Sequence, residues 1–410
     1  MRFKKIIFVL FLSVIALFIQ SCNEQPTGVG ISLIYDTLSV KIAGAINDSI
    51  LGSIKTVQKD IIIFNSSCYY VGRTDSLYAI GMIRIEYLDS NLAYLTADRI
   101  SQCYLKMIPQ RYSVGDTISN NLSFKIYKIK QYWSALTIAD SIYDDKITFH
   151  SKFFDDVVQG SYSGHIALKD SMDPLNINLN PQLMIDWFKL KRDTSTTDWG
   201  IALIPDNNSN VIHQFNHTAV GTDTFSRSSV IIVYKDSNNV DNTREFLAGV
   251  GASIVTRKGN PPQDRIIIQG STEIMTKINF NLSKIPRDAA ILYSEMELTL
   301  DNSNSYNANS LLDSVIQVGI ARDDNLDSTL KDISPGYRTS GTDKFVFVGN
   351  NINMLVEDIV RNYRTGNIVI QAQGFSEVRK IDQMAFFGPD CNDPDKRPKL
   401  KIVYTTRLKR

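Results

Sequence analysis

The chain is poor in the residues that do chemistry. Its 410 residues hold four histidines (His150, His165, His213 and His217) and four cysteines. It has no Gly-rich phosphate loop, no Gly-x-Ser-x-Gly nucleophile elbow and no Cys-x-x-Cys pair, which removes the common signatures of nucleotide binding, hydrolase and thiol-redox chemistry. No charge is in excess either. Lys plus Arg number 44 against 43 Asp plus Glu, so nucleic acid is not an expected partner and electrostatic steering has no basis in whole-chain charge. His213 and His217 are four apart, but Gln214-Phe215-Asn216 between them favours strand or loop over a shared helical face, and no zinc site is expected. The pairs Asp144-Asp145 and Asp155-Asp156 are what 43 acidic residues produce by chance. The chain is not expected to be an enzyme.

What is present begins with an address. Arg2, Lys4 and Lys5 precede an uncharged apolar run from Ile6 to Ile19, and Ile19-Gln20-Ser21-Cys22 follows it. The run is too short to span a bilayer comfortably and has the length and flank of a signal-peptide core. With a small residue before cysteine, its end resembles a lipobox. Residues 1–21 are therefore read as a lipoprotein signal peptide, Cys22 as the lipidation site, and residues 22–34 as a lipidated tether. Acyl chains worth about 0.8 kcal/mol per buried methylene would hold the protein durably on the bilayer, which becomes its first expected partner. The expected location is the cell envelope, anchored to the outer membrane, with the mature chain periplasmic or surface-exposed. Beyond Cys22 lie Cys68, Cys103 and Cys391, an odd number that cannot all pair within the chain. Cys68 and Cys103 sit in apolar contexts that read equally as buried thiols or as a disulfide.

The second strong feature is repetition. Arg227-Ser-Ser-Val-Ile-Ile-Val-Tyr-Lys235 and Arg397-Pro-Lys-Leu-Lys-Ile-Val-Tyr-Thr405 match without a gap, and both read as closing strands. Upstream of each is a short amphipathic helix: Leu183, Met184, Trp187 and Phe188 in the first copy, Leu355, Val356, Ile359 and Val360 in the second. Asn180-Pro181 supplies a cap and a first-turn proline, and Asn350 or Asn351 can cap the second helix. Between helix and closing strand lie Ile201-Ala202-Leu203 and Ile368-Val369-Ile370. Further forward, Ile83–Tyr87 corresponds with Ile278–Leu282, and Ile100–Met107 with Ile291–Leu298. About 390 mature residues suit two domains of ordinary size. The expectation is an all-β chain of two tandem antiparallel β-sandwich domains, jelly-roll-like, each with a helix before its last strands. They are placed at 35–236 and 243–406, joined by a polar linker at 237–242.

Residues 278–300, with the turn Leu282-Ser-Lys-Ile-Pro286 between two strands, together with Arg397–Tyr404 and Trp133-Ser-Ala-Leu-Thr-Ile138, resemble the DNRLRE-type module. That module is a β-sandwich of exported bacterial proteins related to carbohydrate-binding modules. The short motif for which the family is named is absent. The N-terminal layout, with Tyr35-Asp-Thr-Leu-Ser-Val40 soon after the tether, is similar to Bacteroidota lipoproteins of unassigned function. The resemblance implies a non-catalytic binding module for extracellular polysaccharide. The alternative is a structural or assembly lipoprotein that docks to another envelope protein.

Sugars stack on exposed aromatic rings while nearby amides and carboxylates bond their hydroxyls. Tyr162, Trp199, Tyr306 and Tyr337 are the candidate ligand-binding residues, with Tyr132 also considered, whereas Trp133 and Trp187 read as core anchors. No cofactor is expected. The loop Asp390-Cys-Asn-Asp-Pro-Asp395 makes Asp390, Asp393 and Asp395 a calcium candidate, but it lacks the Gly and distant Glu of an EF-hand loop and reads better as a turn. Asp206–Asn210 and Asp301–Ser305 are weaker candidates of the same kind.

Overall fold

The computed structural model describes residues 38–44, 50–58, 61–64, 68–85, 88–133, 153–166, 173–189, 199–217, 227–272, 274–306, 315–321, 330–363, 365–372 and 380–407. The chain is all-β and antiparallel. In the first half the strands are β1 (Leu38–Gly44), β2 (Leu51–Val57), β3 (Ile61–Phe64), β4 (Cys68–Arg73), β5 (Leu77–Ile85), β6 (Ile100–Gly115), β7 (Asn121–Ile129), β8 (Phe154–His165) and β9 (Leu175–Asn178). Helix α1 (Pro181–Lys189) follows, then β10 (Ile201–Pro205), β11 (Val211–Asn216) and β12 (Ser229–Lys235). The second half runs through β13 (Asp241–Arg257), β14 (Arg265–Gln269), β15 (Met275–Asn281), β16 (Ala290–Thr299), β17 (Val315–Ile320), β18 (Lys331–Arg338) and β19 (Lys344–Val348). It ends with α2 (Asn350–Asp358), β20 (Thr365–Ala372), β21 (Gln383–Phe387) and β22 (Lys399–Arg407).

The repeated sequence is a repeated ladder. A nine-stranded sheet runs β1-β22-β16-β19-β18-β17-β20-β15-β2. In the other sheet the matching strands pair in the same way: β12 with β6, β6 with β9, β8 with β7, β7 with β10 and β10 with β5. Registers agree where the sequence aligned them. Ile201 faces Ile83 as Ile368 faces Ile278, and β4–β11 recurs as the separate pair β14–β21. Side-chain alternation explains why these strands form. Val230, Ile232 and Tyr234 are buried along β12, and Leu400, Ile402 and Tyr404 along β22, where Lys401 stands exposed.

The outer strands do not follow chain order. Residues 237–242, expected as a linker, contain a hairpin turn: Lys235 pairs with Asp241, and Asp236 accepts backbone N–H groups from Asn238 and Val240. Strand β13 then continues along the first half, pairing β12 up to Leu247 and β5 from Ala248 onward. Conversely, β1 and β2 lie within the expected first domain but pair with β22 and β15 of the second half. Each repeat is thus completed by the segment that precedes the other. The expected boundaries divide the chain between strands that are hydrogen-bonded to one another, because a polar turn can close a hairpin as readily as it can link domains.

Two large apolar clusters mark the cores. One contains Ile278, Met296, Phe345, Leu355 and Ile402, and the other Tyr69, Leu105, Phe124, Trp187 and Ile232. Both helices bury the expected faces. Asn180 caps α1 by accepting from the Gln182 N–H at 3.0 Å. On α2 the cap position belongs to Gly349, whose φ of 100° suits glycine, and Asn350 and Asn351 are already helical. A smaller cluster joins the halves, with Tyr70, Val114, Ile212 and Val255 packed on Ile381 and Tyr306. Around it, Tyr112 Oη donates to Asp382 Oδ1 at 2.9 Å and Arg257 Nη1 to Gln383 Oε1 at 2.7 Å.

Candidate functional site

Three turns at one end of the first half form a polar concavity. They are Arg73–Ser76 between β4 and β5, Gly115–Asn120 between β6 and β7, and Asp206–Asn210 between β10 and β11. With Val114 as floor and Tyr306 of the second half as one wall, they enclose a cleft of about 650 Å³. Gly115 is required where the second of these turns leaves β6. Its φ is 118°, and a Cβ there would lie 2.5 Å from the Asn210 carbonyl oxygen.

The turns are braced to one another. Asp116 accepts the Ile118 and Ser119 N–H groups at 3.0 and 3.1 Å and the Ser119 hydroxyl at 2.5 Å. The Ser119 bonds hold its carboxyl below the usual range, so it is an anion at neutral pH. Asn210 Oδ1 receives the Asn121 N–H at 2.9 Å, and Asn121 Nδ2 donates to the Asn208 carbonyl at 2.7 Å. Arg73 Nη1 donates to Asn207 Oδ1. Asp75, Asp116, Asn207 and Asn208 are exposed and line the opening. The result is a wet, hydrogen-bonding groove carrying both charges and several amides.

Behind it lies a buried anchor. Asn120 adopts a φ of 42° and donates through Nδ2 to the Ile166 carbonyl at 2.5 Å, which leaves its Oδ1 to accept. His213 Nε2 sits 2.6 Å from that oxygen, so the imidazole carries its proton on Nε2. Nδ1 has no partner among the described residues. Burial, with a smaller effect of His165, pushes the pKa of His213 down to about 4 and keeps the ring neutral. His217, the other member of the His213/His217 pair, is also buried, and among the described residues no group of three His, Cys, Asp or Glu side chains is placed to hold a metal.

The expected aromatic residues are dispersed. Tyr162 packs against the first core, its ring 5.8 Å from that of Phe124. Trp199 is half-buried, edge-on to Tyr132 at 5.1 Å, and its carbonyl accepts from Trp133 Nε1 at 2.7 Å. Trp133 and Trp187 are both buried. Tyr337 is 56% exposed on the far sheet, away from the others. Tyr306 alone meets the cleft. Its hydroxyl lies 2.6 Å from Gln269 Nε2, and burial raises its pKa to about 12.

The acidic loops are committed to turns and ion pairs. Asp393 accepts the Asp395 N–H at 3.0 Å and stands 3.6 Å from Lys396, while Asp395 is 3.8 Å from Lys399. Asp301 is buried and holds Arg265 Nε at 2.9 Å and Asn304 Nδ2 at 2.7 Å. Cys68 and Cys103 are buried thiols not joined in a disulfide, with Gln214 Nε2 donating to the Cys68 sulfur. Cys22 and the tether lie outside the described residues, and no described helix is long and apolar enough to cross a membrane.

Sequence reasoning passed over Arg73, Asp75 and Asp116, and took Asp206–Asn210 only as a weak calcium candidate. Three Asx-rich turns recurring at strand ends were the available signal, but such residues serve ordinary turns everywhere in an antiparallel chain. The chain matches no family model and no curated protein.

Proposed function

We propose that the chain is a non-catalytic lipoprotein of the cell envelope, held on the outer membrane by acylated Cys22, that binds extracellular polysaccharide. In this reading its halves are two β-sandwich units of the carbohydrate-binding kind, and the cleft between the Arg73, Asp116 and Asn207 turns takes the sugar. The cleft carries the proposal. Its exposed amides and carboxylates offer donors and acceptors to hydroxyls, and the Tyr306 ring supplies the apolar wall. Asp116, an anion at neutral pH, is suited to accepting hydroxyl hydrogens rather than to shuttling protons there.

The test is affinity-gel or glycan-array binding by the chain from residue 31 onward, with Asn207→Ala and Asn210→Ala beside it. Retention by at least one polysaccharide, weakened by these substitutions, is the expected result. A second reading has its own observation. On the nine-stranded sheet, Ile333, Tyr337 and Val348 are 43, 56 and 48% exposed beside half-buried Val315 and Val346, an apolar strip that favours docking to another envelope protein. Failure on every polysaccharide, with co-purification of one envelope protein lost on Tyr337→Asp, would replace the first reading by the second.

A further inference from the structure

We infer that Arg257, at the end of β13, is a positioning residue for the cleft: it reaches across the junction of the halves and fixes the segment that presents Tyr306 as the cleft's wall. The role of that wall rests on the sugar-binding reading above. Among the described residues that line the cleft, Tyr306 alone comes from the second half, and Arg257 does not line it. Arg257 acts at one remove, through Gln383.

Tyr306 and Gln383 form an isolated antiparallel bridge, with N–H to carbonyl bonds of 3.0 Å in both directions. The Gln383 side chain is buried and both ends of its amide are used: Nε2 donates to the Asn304 carbonyl at 2.8 Å, and Oε1 accepts from Arg257 Nη1 at 2.7 Å. Turned over, the amide would set its NH2 against the guanidinium and its oxygen against the Asn304 carbonyl, so Arg257 fixes its orientation. The bond is charge-assisted and stronger than a neutral one. The phenol end is held too. Tyr306 Oη accepts from Gln269 Nε2, which also donates to the Ile381 carbonyl at 2.9 Å, while Gln269 Oε1 accepts from Thr272 Oγ1 at 2.8 Å. Burial raises the Tyr306 pKa to about 12 against the opposing charge of Arg257, which is near enough to act on the hydroxyl directly. On its other side Arg257 is tied to the rim of the cleft. It pairs with Leu77 of β5, and the next N–H, that of Lys258, donates to the Ser76 carbonyl of the Arg73–Ser76 turn at 2.9 Å. One residue thus joins a lip of the cleft through its backbone to the opposite wall through its side chain. A sugar that touches both then meets a gap already set, and the ordering of the Tyr306 ring does not have to be met by the binding energy.

The test runs the full chain on affinity gels of xylan, mannan and β-glucan, with Arg257→Ala, Lys258→Ala, Tyr306→Ala and the Arg257→Ala/Tyr306→Ala double variant. On a gel that retains the wild type, Arg257→Ala should weaken retention by about three- to tenfold, and Lys258→Ala, at the exposed neighbour, should not. In the Tyr306→Ala background Arg257→Ala should cost nothing more, because the ring through which it acts is gone. Retention unchanged in Arg257→Ala, or losses that multiply in the double variant, would overturn the assignment. A second measurement needs no glycan. Hydrogen exchange at the Tyr306 and Gln383 amides should quicken by about threefold or more in Arg257→Ala, while Val230 and Ile232 of β12 keep wild-type rates and show the variant to be folded. Unchanged exchange at Tyr306, or quickening along β12 as well, would reduce Arg257 to an ordinary stabilising residue whatever the gels show. Retention of the wild type by none of the gels would instead count against the polysaccharide reading, and exchange confined to Tyr306 and Gln383 would still uphold the hold of Arg257 on the wall.

Discussion

Acid should loosen this protein before its carboxylates protonate, and His213 is the reason. In the unfolded chain a histidine titrates near 6.5, whereas burial holds His213 at about 4 in the fold. Unfolding below pH 6.5 therefore takes up a proton that the native state refuses. Stability is full above 6.5, falls as pH drops toward 4, and levels off below that. The separation of 2.5 units, at about 1.4 kcal/mol each, makes this one side chain worth about 3 kcal/mol across the window. No discount for solvent screening applies, because the residue has no exposed surface. Asp116, Asp236 and Asp301 have folded values below the normal carboxylate value, so their stabilisation is lost only as pH falls below about 4. Urea unfolding from pH 7.5 to 4.5 isolates the histidine. In His213→Gln an amide can still donate to Asn120 but cannot titrate, so the slope of stability against pH should flatten by most of that 3 kcal/mol. Parallel wild-type and variant profiles would refute the assignment. As Asn120 closes the Gly115–Asn120 turn, ligand binding by the cleft should weaken over the same interval.

Three further outcomes follow from the packing. Because β1 and β2 complete the second half while β13 completes the first, removing residues 23–57 uncovers the edges of β22 and β15 and should give an aggregating product; residues 243–406 alone should not fold, and a soluble monomer with native circular dichroism would count against the interlock. Gly72→Ala should cost more than about 3 kcal/mol in chemical unfolding, since φ is 134° and the new Cβ would lie 2.0 Å from the Val211 carbonyl oxygen; a loss under 1 kcal/mol would contradict the close approach. Cys68 and Cys103 should resist thiol reagents in the native state and react after denaturation without reductant, with Cys103 further quieted by burial that raises its pKa to about 12; failure to react after denaturation would indicate a disulfide.

The cleft was hard to read in advance for a physical reason. Asn and Asp at strand ends satisfy local backbone groups, and Asp116, Asp206 and Asp236 all do so here. Nothing in a single turn says whether a second will sit beside it. Asp236 closes an isolated hairpin, while the Asp116 and Asp206 turns meet through Asn210 and Asn121 and face Tyr306, which lies 190 and 100 residues further along the chain. Aromatic residues mislead in the opposite direction. Tyr162 and Trp199 have polar neighbours in sequence, yet the alternation of β8 and the edge-on contact with Tyr132 turn both rings against protein.

The repeat was legible because buried side chains recur every second residue, and that pattern survives in Val230-Ile232-Tyr234 and Leu400-Ile402-Tyr404 alike. Alternation tells which residues of a strand face a core, but not which core. A ladder hydrogen bond is made by backbone, so β1 is as good a neighbour for β22 as β13 would be, and the aligned sequence cannot choose between them. The choice is made by connection length. Lys235 to Asp241 is short enough for β13 to fold straight back onto β12, which fills the edge of the first half and leaves that of the second open. Strands β1 and β2 take the vacant edges. The exchange therefore fixes the first two strands of the chain to the C-terminal half, and separation of the halves requires breaking β1–β22 and β2–β15 together.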